Sequence, residues 1–284
     1  MRFIAPGRDE VESNVFVVEP LRSFLQDYPA LLRDPQWPSI ADLQRASLDA
    51  TAVDDITRPQ FVEQEPALLG DGLHYEQRIA SGRIATRPGN WHDLLNALIW
   101  LRYPRIKQAL NARQVAEIAE VGPRQRSRAQ CAMTHFDESG LIVLCADAEL
   151  IAAWNDHDWP SLCHAHASAW EQRIAVCVFG HALLEHALLP ATLLVGKAVL
   201  LRAPESVIAA LGRRDADTLR DVDARVAVLI ASAAVLNDPQ ELRPLPVCGL
   251  PGWRRGGSEA AFYQDAPCFR PVRPGRVYPP ACLF

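Results

Sequence analysis

Two side chains four residues apart, His181 and Glu185, follow Gly180 in the string Gly-His-Ala-Leu-Leu-Glu. On a helix, residues i and i+4 share a face, so this imidazole and carboxylate could act as a ligand pair or as a base with its orienting acid. A second string, Asn90-Trp-His-Asp-Leu-Leu-Asn-Ala-Leu, carries His92 and Asp93. Asp93 falls three residues after a capping Asn90, where a carboxylate complements the exposed N–H groups of a first turn. His92 lies off the leucine face, on a stripe with Asn96 and Tyr103, and packing does not account for it. Asp137 opens Asp-Glu-Ser-Gly140, residue types that favour a turn but also offer a carboxylate. All eight histidines fall between His74 and His186, as a polar pocket in the centre of the chain would require.

Two readings follow. In the first, His92, Asp93, Asp137, His181 and Glu185 line one pocket of a hydrolase. Either they bind one divalent metal, with Asp93 and Asp137 joining the imidazoles, or His181 is the general base and Glu185 orients it. Arg102, Arg105 and Lys107, just beyond the first string, suggest a small anionic substrate. In the second reading the segment from Trp100 to Gln130, with seven basic residues against Glu117 and Glu120, docks an acidic partner or RNA. That segment carries +5, so with a net charge of -5 the remaining chain carries -10. Intramolecular partners for the guanidinium groups therefore abound, few aromatics are interleaved for stacking, and nucleic acid is the less favoured ligand.

Other chemistries are less favoured, because their patterns are missing. There is no G-x-S-x-G, G-x-G-x-x-G or Walker-type loop. His157, Cys163, His164 and His166 lack metal spacing, and seven cysteines without a C-x-x-C pair read as reduced core thiols. No apolar run reaches a membrane span, and residues 1–10 hold Arg8, Asp9 and Glu10 where an export signal needs an apolar core. A cytoplasmic setting is expected.

The elements that must hold these residues are mixed. Helices are expected over Leu21–Asp27, Ser39–Asp49, Trp91–Leu101, Arg105–Glu120, Arg124–Phe136, from Asp147 to Trp154, from Gly180 to Leu189, and over Asp215–Leu236 as the longest. Strands are expected at Phe61–Glu65, Leu141–Cys145 and Arg173–Phe179. A hairpin is expected where Ser81-Gly82 separates Leu73–Ala80 from Arg83–Arg87. Without regular βα alternation the class is α+β, a single mixed domain over residues 1–242. Residues 243–284, with eight prolines and five glycines, form an extended tail whose Trp253 and Phe262 anchor it to that domain.

The two strings, with Pro104-Arg-Ile-Lys107, Phe136-Asp-Glu-Ser-Gly140, Pro244-Leu-Pro and Leu250-Pro-Gly-Trp253, resemble the bacterial proteins grouped as domain of unknown function family 3025. The resemblance runs from about Trp37 to Phe269. It implies a shared organisation and brings no chemistry with it.

Overall fold

The computed structural model describes residues 3–54, 56–253 and 260–284. Before the first string, short helices α1 (Leu21–Asp27), α2 (Pro29–Leu32) and α3 (Ile40–Asp54) precede strand β1 (Gln60–Glu63). Ser39 and Asp42 cap α3 reciprocally, the Asp42 N–H donating to Ser39 Oγ at 3.2 Å and the Ser39 N–H to Asp42 Oδ2 at 3.0 Å. One-turn α4 (Pro66–Leu69) leads to α5 (Tyr75–Ala80) and β2 (Arg83–Thr86).

The expected hairpin is therefore not formed. Residues 75–80 are helical because His74 and Gln77 close a capping box, and β2 pairs in parallel with β1. Ser81 and Gly82 end a helix instead of reversing a strand, and Gly82 supplies the positive φ of 90° that this exit needs.

The central helices follow the sequence pattern closely. α6 (Trp91–Arg102) starts at Asn90, whose side-chain oxygen accepts from the Asp93 N–H. α7 (Pro104–Val121) begins on a proline that needs no N–H partner. α8 (Arg128–Ser139) is closed by a Ser127–Gln130 capping box. Asp137, expected in a turn, instead lies in the last turn of α8, because helix continues until β3 (Gly140–Cys145) begins directly. Next come α9 (Ala148–Asn155), β4 (Ile174–Val178), α10 (His181–His186), β5 (Val195–Arg202), α11 (Glu205–Gly212) and α12 (Ala216–Ala231). α12 ends before Leu236 because Ala233 and Leu236 take positive φ, so α7 is the longer helix.

The main sheet has the order β4-β3-β5, with β4 antiparallel and β5 parallel to β3. Its third strand was hidden in the sequence, where Gly196 and Lys197 interrupt an apolar run. Gly196 is required, since a Cβ there would stand 2.3 Å from Leu141 Cδ1. The outer edge of β5 is covered in succession by β6 (Arg243–Pro246) and, beyond α13 (Ala260–Asp265), by β7 (Cys282–Leu283). Tyr263 and Phe269 are buried, while Trp253 and Phe262 are half-buried against the core. Helix at 51% against strand at 13%, with one mixed sheet and one small two-stranded sheet, makes this an α+β single domain. No described helix is long and apolar enough to cross a membrane.

Candidate metal centre

β3 and β4 bring α8 and α10 together. The N–H groups of Phe179 and Gly180 both donate to the Gly140 carbonyl, at 3.0 and 2.9 Å. The end of α8 and the start of α10 are thus stitched at one atom. Gly180 makes that approach possible, since a Cβ there would stand 2.4 Å from Gly140 N and Ser139 Cα. α6 packs across α10, and α5, α6, α7, α8 and α10 all present side chains to one cavity of about 480 Å³.

His92 and His181 meet in it with their Nε2 atoms 3.1 Å apart. The other nitrogen of His92, Nδ1, is 2.9 Å from Glu185 Oε2. Glu138 Oε2 lies 3.7 Å from His181 Nε2. One atom each from His92, Glu138 and His181 falls within a mutual 4.8 Å, a grouping that could hold a metal ion. His181 is only 3% exposed, and its Nδ1 is buried without a hydrogen-bond partner, 3.9 Å from Asp137 Oδ2.

The electrostatics suit ligands. Burial pushes the His181 pKa down to about 3, so this imidazole keeps both lone-pair chemistry and neutrality at ordinary pH. His92 moves the opposite way, raised by its hydrogen bond to Glu185. Burial also raises the Glu138 carboxyl, opposed by His92. Burial disfavours ionised Asp137, yet the Lys107 ammonium at 2.6 Å and the neighbouring imidazoles hold its pKa below the usual carboxylate range. Lys107 also donates to Asn96 Oδ1 at 3.0 Å, and Asn96 Nδ2 approaches the Tyr75 hydroxyl at 3.4 Å.

The structure thus brings His92, His181, Glu185 and Asp137 together but gives them roles other than those expected from spacing. Glu185 orients His92 across the helix pair, not His181 on its own helix, because the side chain at the next turn of α10 reaches α6 first. Asp93 stands apart from the metal grouping. Its carboxylate accepts from the Arg87 backbone N–H at 2.6 Å and from the Arg87 guanidinium at 3.0 and 2.7 Å.

Among the nearby cations, Arg102 pairs with Asp27 and stacks on Phe24, away from the site, and the exposed Arg105 side chain does not line it. Lys107 does, together with exposed Arg126. Elsewhere in the basic segment, Arg113 donates to Val235 O and Arg128 pairs with Asp238.

Sequence reasoning missed Glu138, whose neighbour Asp137 drew attention as the first residue of a turn motif. It also missed Tyr75 and Glu76, because a hairpin reading faced them elsewhere. Only the offset of four between Glu138 and Thr134, both on the pocket face of α8, could have signalled it.

A family model described as protein of unknown function, DUF3025, matches residues 59–273. The chain belongs to this family. The match contains all three helices that build the centre, from His92 to Glu185. No curated protein and no solved structure matches the chain.

Proposed function

We propose that the protein is a hydrolase that holds one divalent metal ion on His92, His181 and Glu138 and acts on a small anionic molecule. The observation that carries this reading is the pair of imidazole nitrogens 3.1 Å apart beside a carboxylate, each contributed by a different helix. Two nitrogens bound about 2.0–2.1 Å from a tetrahedral zinc ion stand about 3.3 Å apart, close to this spacing. Two histidines and one carboxylate leave a coordination position for water or substrate, as catalytic sites do.

The outer contacts support the same reading. Glu185 accepts from His92 Nδ1–H and so directs the Nε2 lone pair to the shared point. Buried His181 Nδ1 faces Asp137, which can accept its proton when Nε2 binds a metal. A cation there would polarise a substrate oxygen and acidify a bound water. Lys107 keeps Asp137 ionised, and Arg126 at the mouth provides a forked donor for the substrate's negative group.

Metal content of the purified protein tests the reading. One equivalent of zinc, manganese or iron is expected, lost in His92→Ala, His181→Ala and Glu138→Gln and kept in Asp93→Asn. Chelation should abolish hydrolysis of small phosphate or carboxylate esters, and metal should restore it. Absence of bound metal after loading, or retention in the histidine variants, refutes it.

A further inference from the structure

On the far side of α8 a second cleft of about 650 Å³ opens between β5 and the C-terminal segment. Lys197, Arg270, Arg273 and Arg276 line it, with His135 and His157, and among the described residues none of those lining it is acidic. This is unusual for a chain with 34 acidic and 29 basic residues. Elsewhere its guanidinium groups find carboxylates readily, as Arg78, Arg87, Arg102, Arg173 and Arg214 do. Asp238, whose charge Arg276 feels, is already held through both oxygens by Arg128.

Hydrogen bonds join residues of its walls. His157 Nδ1 and Trp159 Nε1 both approach the Arg270 carbonyl, at 2.9 and 3.0 Å, and His157 Nε2 lies 2.9 Å from the Tyr278 hydroxyl. Arg276 donates to the Gln240 carbonyl and lies over the Tyr278 ring, 4.7 Å from its centroid. Among the described residues, Arg273 and Lys197 form no side-chain hydrogen bond or ion pair. Lys197 is half-buried, and burial, with Arg273 and Arg276 nearby, lowers its pKa.

We infer that this cleft binds a small anion bearing two or more phosphate groups, at a site separate from the His92–His181 centre. Four cations exceed what one carboxylate can neutralise, whereas a diphosphate matches both their number and the forked geometry of guanidinium. The volume suits a small molecule. A nucleic-acid track is disfavoured, because the basic surface is interrupted beside the cleft by the Arg128–Asp238 pair.

Calorimetric titration of the full chain with inorganic pyrophosphate and with ADP, at about 150 mM salt, tests this. Binding with a Kd on the order of 100 μM or tighter is expected for at least one of them. It should weaken tenfold or more in Lys197→Gln and Arg273→Gln and persist in His181→Ala and Arg124→Gln. Tighter binding of ADP than of pyrophosphate would identify a nucleotide as the source of the phosphates, and the reverse would identify a free oligophosphate. Both charge-removing variants should unfold at the same or a higher temperature than the unliganded parent, since repulsion is relieved, so lost binding is separable from lost folding. Binding unchanged in these two variants, lost in His181→Ala, or confined to an RNA oligonucleotide would overturn the inference. Failure here leaves the metal site untouched, because that site is read by metal content.

Discussion

Glu185 is the residue through which the metal proposal is most sharply testable. Its carboxylate both fixes the His92 tautomer and raises the His92 pKa, two effects that act on metal binding in opposite senses as pH changes. Protons compete with metal for His92, so affinity in the parent should fall as pH drops through that raised pKa. Glu185→Gln removes the charge that raises it, and its competition midpoint should move to lower pH. At neutral pH the same variant should bind metal about 10–100-fold more weakly, the usual cost of losing a ligand's orienting partner. Metal titrations at several pH values check both signs. An unchanged midpoint would show that Glu185 does not govern His92. At this scale the sequence disclosed the histidines because neither belongs to a leucine stripe. Glu138 stayed hidden because its role depends on where a helix ends, and Asp-Glu-Ser-Gly is as good a turn as it is a final helical turn.

Among the elements, the helices with capping residues were legible and the pieces that depend on distant partners were not. α6, α7 and α9 follow from Asn90, Pro104 and Asp147. β5 was invisible because Gly196 and Lys197 break its apolar run and its pairing rests on β3 and β6, both distant in sequence. α5 was misread because a histidine served as its cap. Two predictions belong here. Gly180→Ala forces Ser139 and Gly140 away from the start of α10 and should lower metal affinity more than tenfold, measured beside circular dichroism that shows helix retained. Normal affinity would mean that the stitch does not set His181.

Asp223 of α12 caps α7 from outside, accepting the Arg105 and Ile106 N–H groups at 3.0 and 2.9 Å. Its removal in Asp223→Ala should cost about 2 kcal/mol. Burial raises its pKa to about 6, above the 3.8 of the free group. The folded state therefore binds the proton more tightly, and this group's proton-linked stability is full below pH 3.8 and lost as pH rises through about 6. Urea denaturation at pH 4.5, 5.5 and 7 should show that component in the parent and not in Asp223→Ala. A parallel pH response in both proteins would contradict it.

For the whole molecule, the question is whether residues 1–242 form a body that the C-terminal segment merely decorates. Composition suggests such a division, since helix formers end near Arg243 and prolines begin. The pairing argues for dependence. β6 and β7 cover the outer edge of β5, an apolar strand whose exposed N–H and C=O groups would otherwise invite another chain. Trp154, fully buried, donates its indole N–H to the Pro244 carbonyl at 2.8 Å. Leu245, Val247, Leu250, Tyr263 and Phe269 are all buried. At about 1.5–3 kcal/mol for each such side chain, their joint burial is on the order of 10 kcal/mol, comparable with the entire stability of a typical domain. Truncation after Leu242 should therefore yield a chain that aggregates or unfolds without a cooperative transition, while the full chain melts as one unit. Both are read by size-exclusion chromatography and calorimetry. A soluble, monomeric 1–242 fragment with a cooperative transition within about 5 °C of the parent would show instead that the first 242 residues carry their own core, because at this size 5 °C corresponds to only a few kcal/mol.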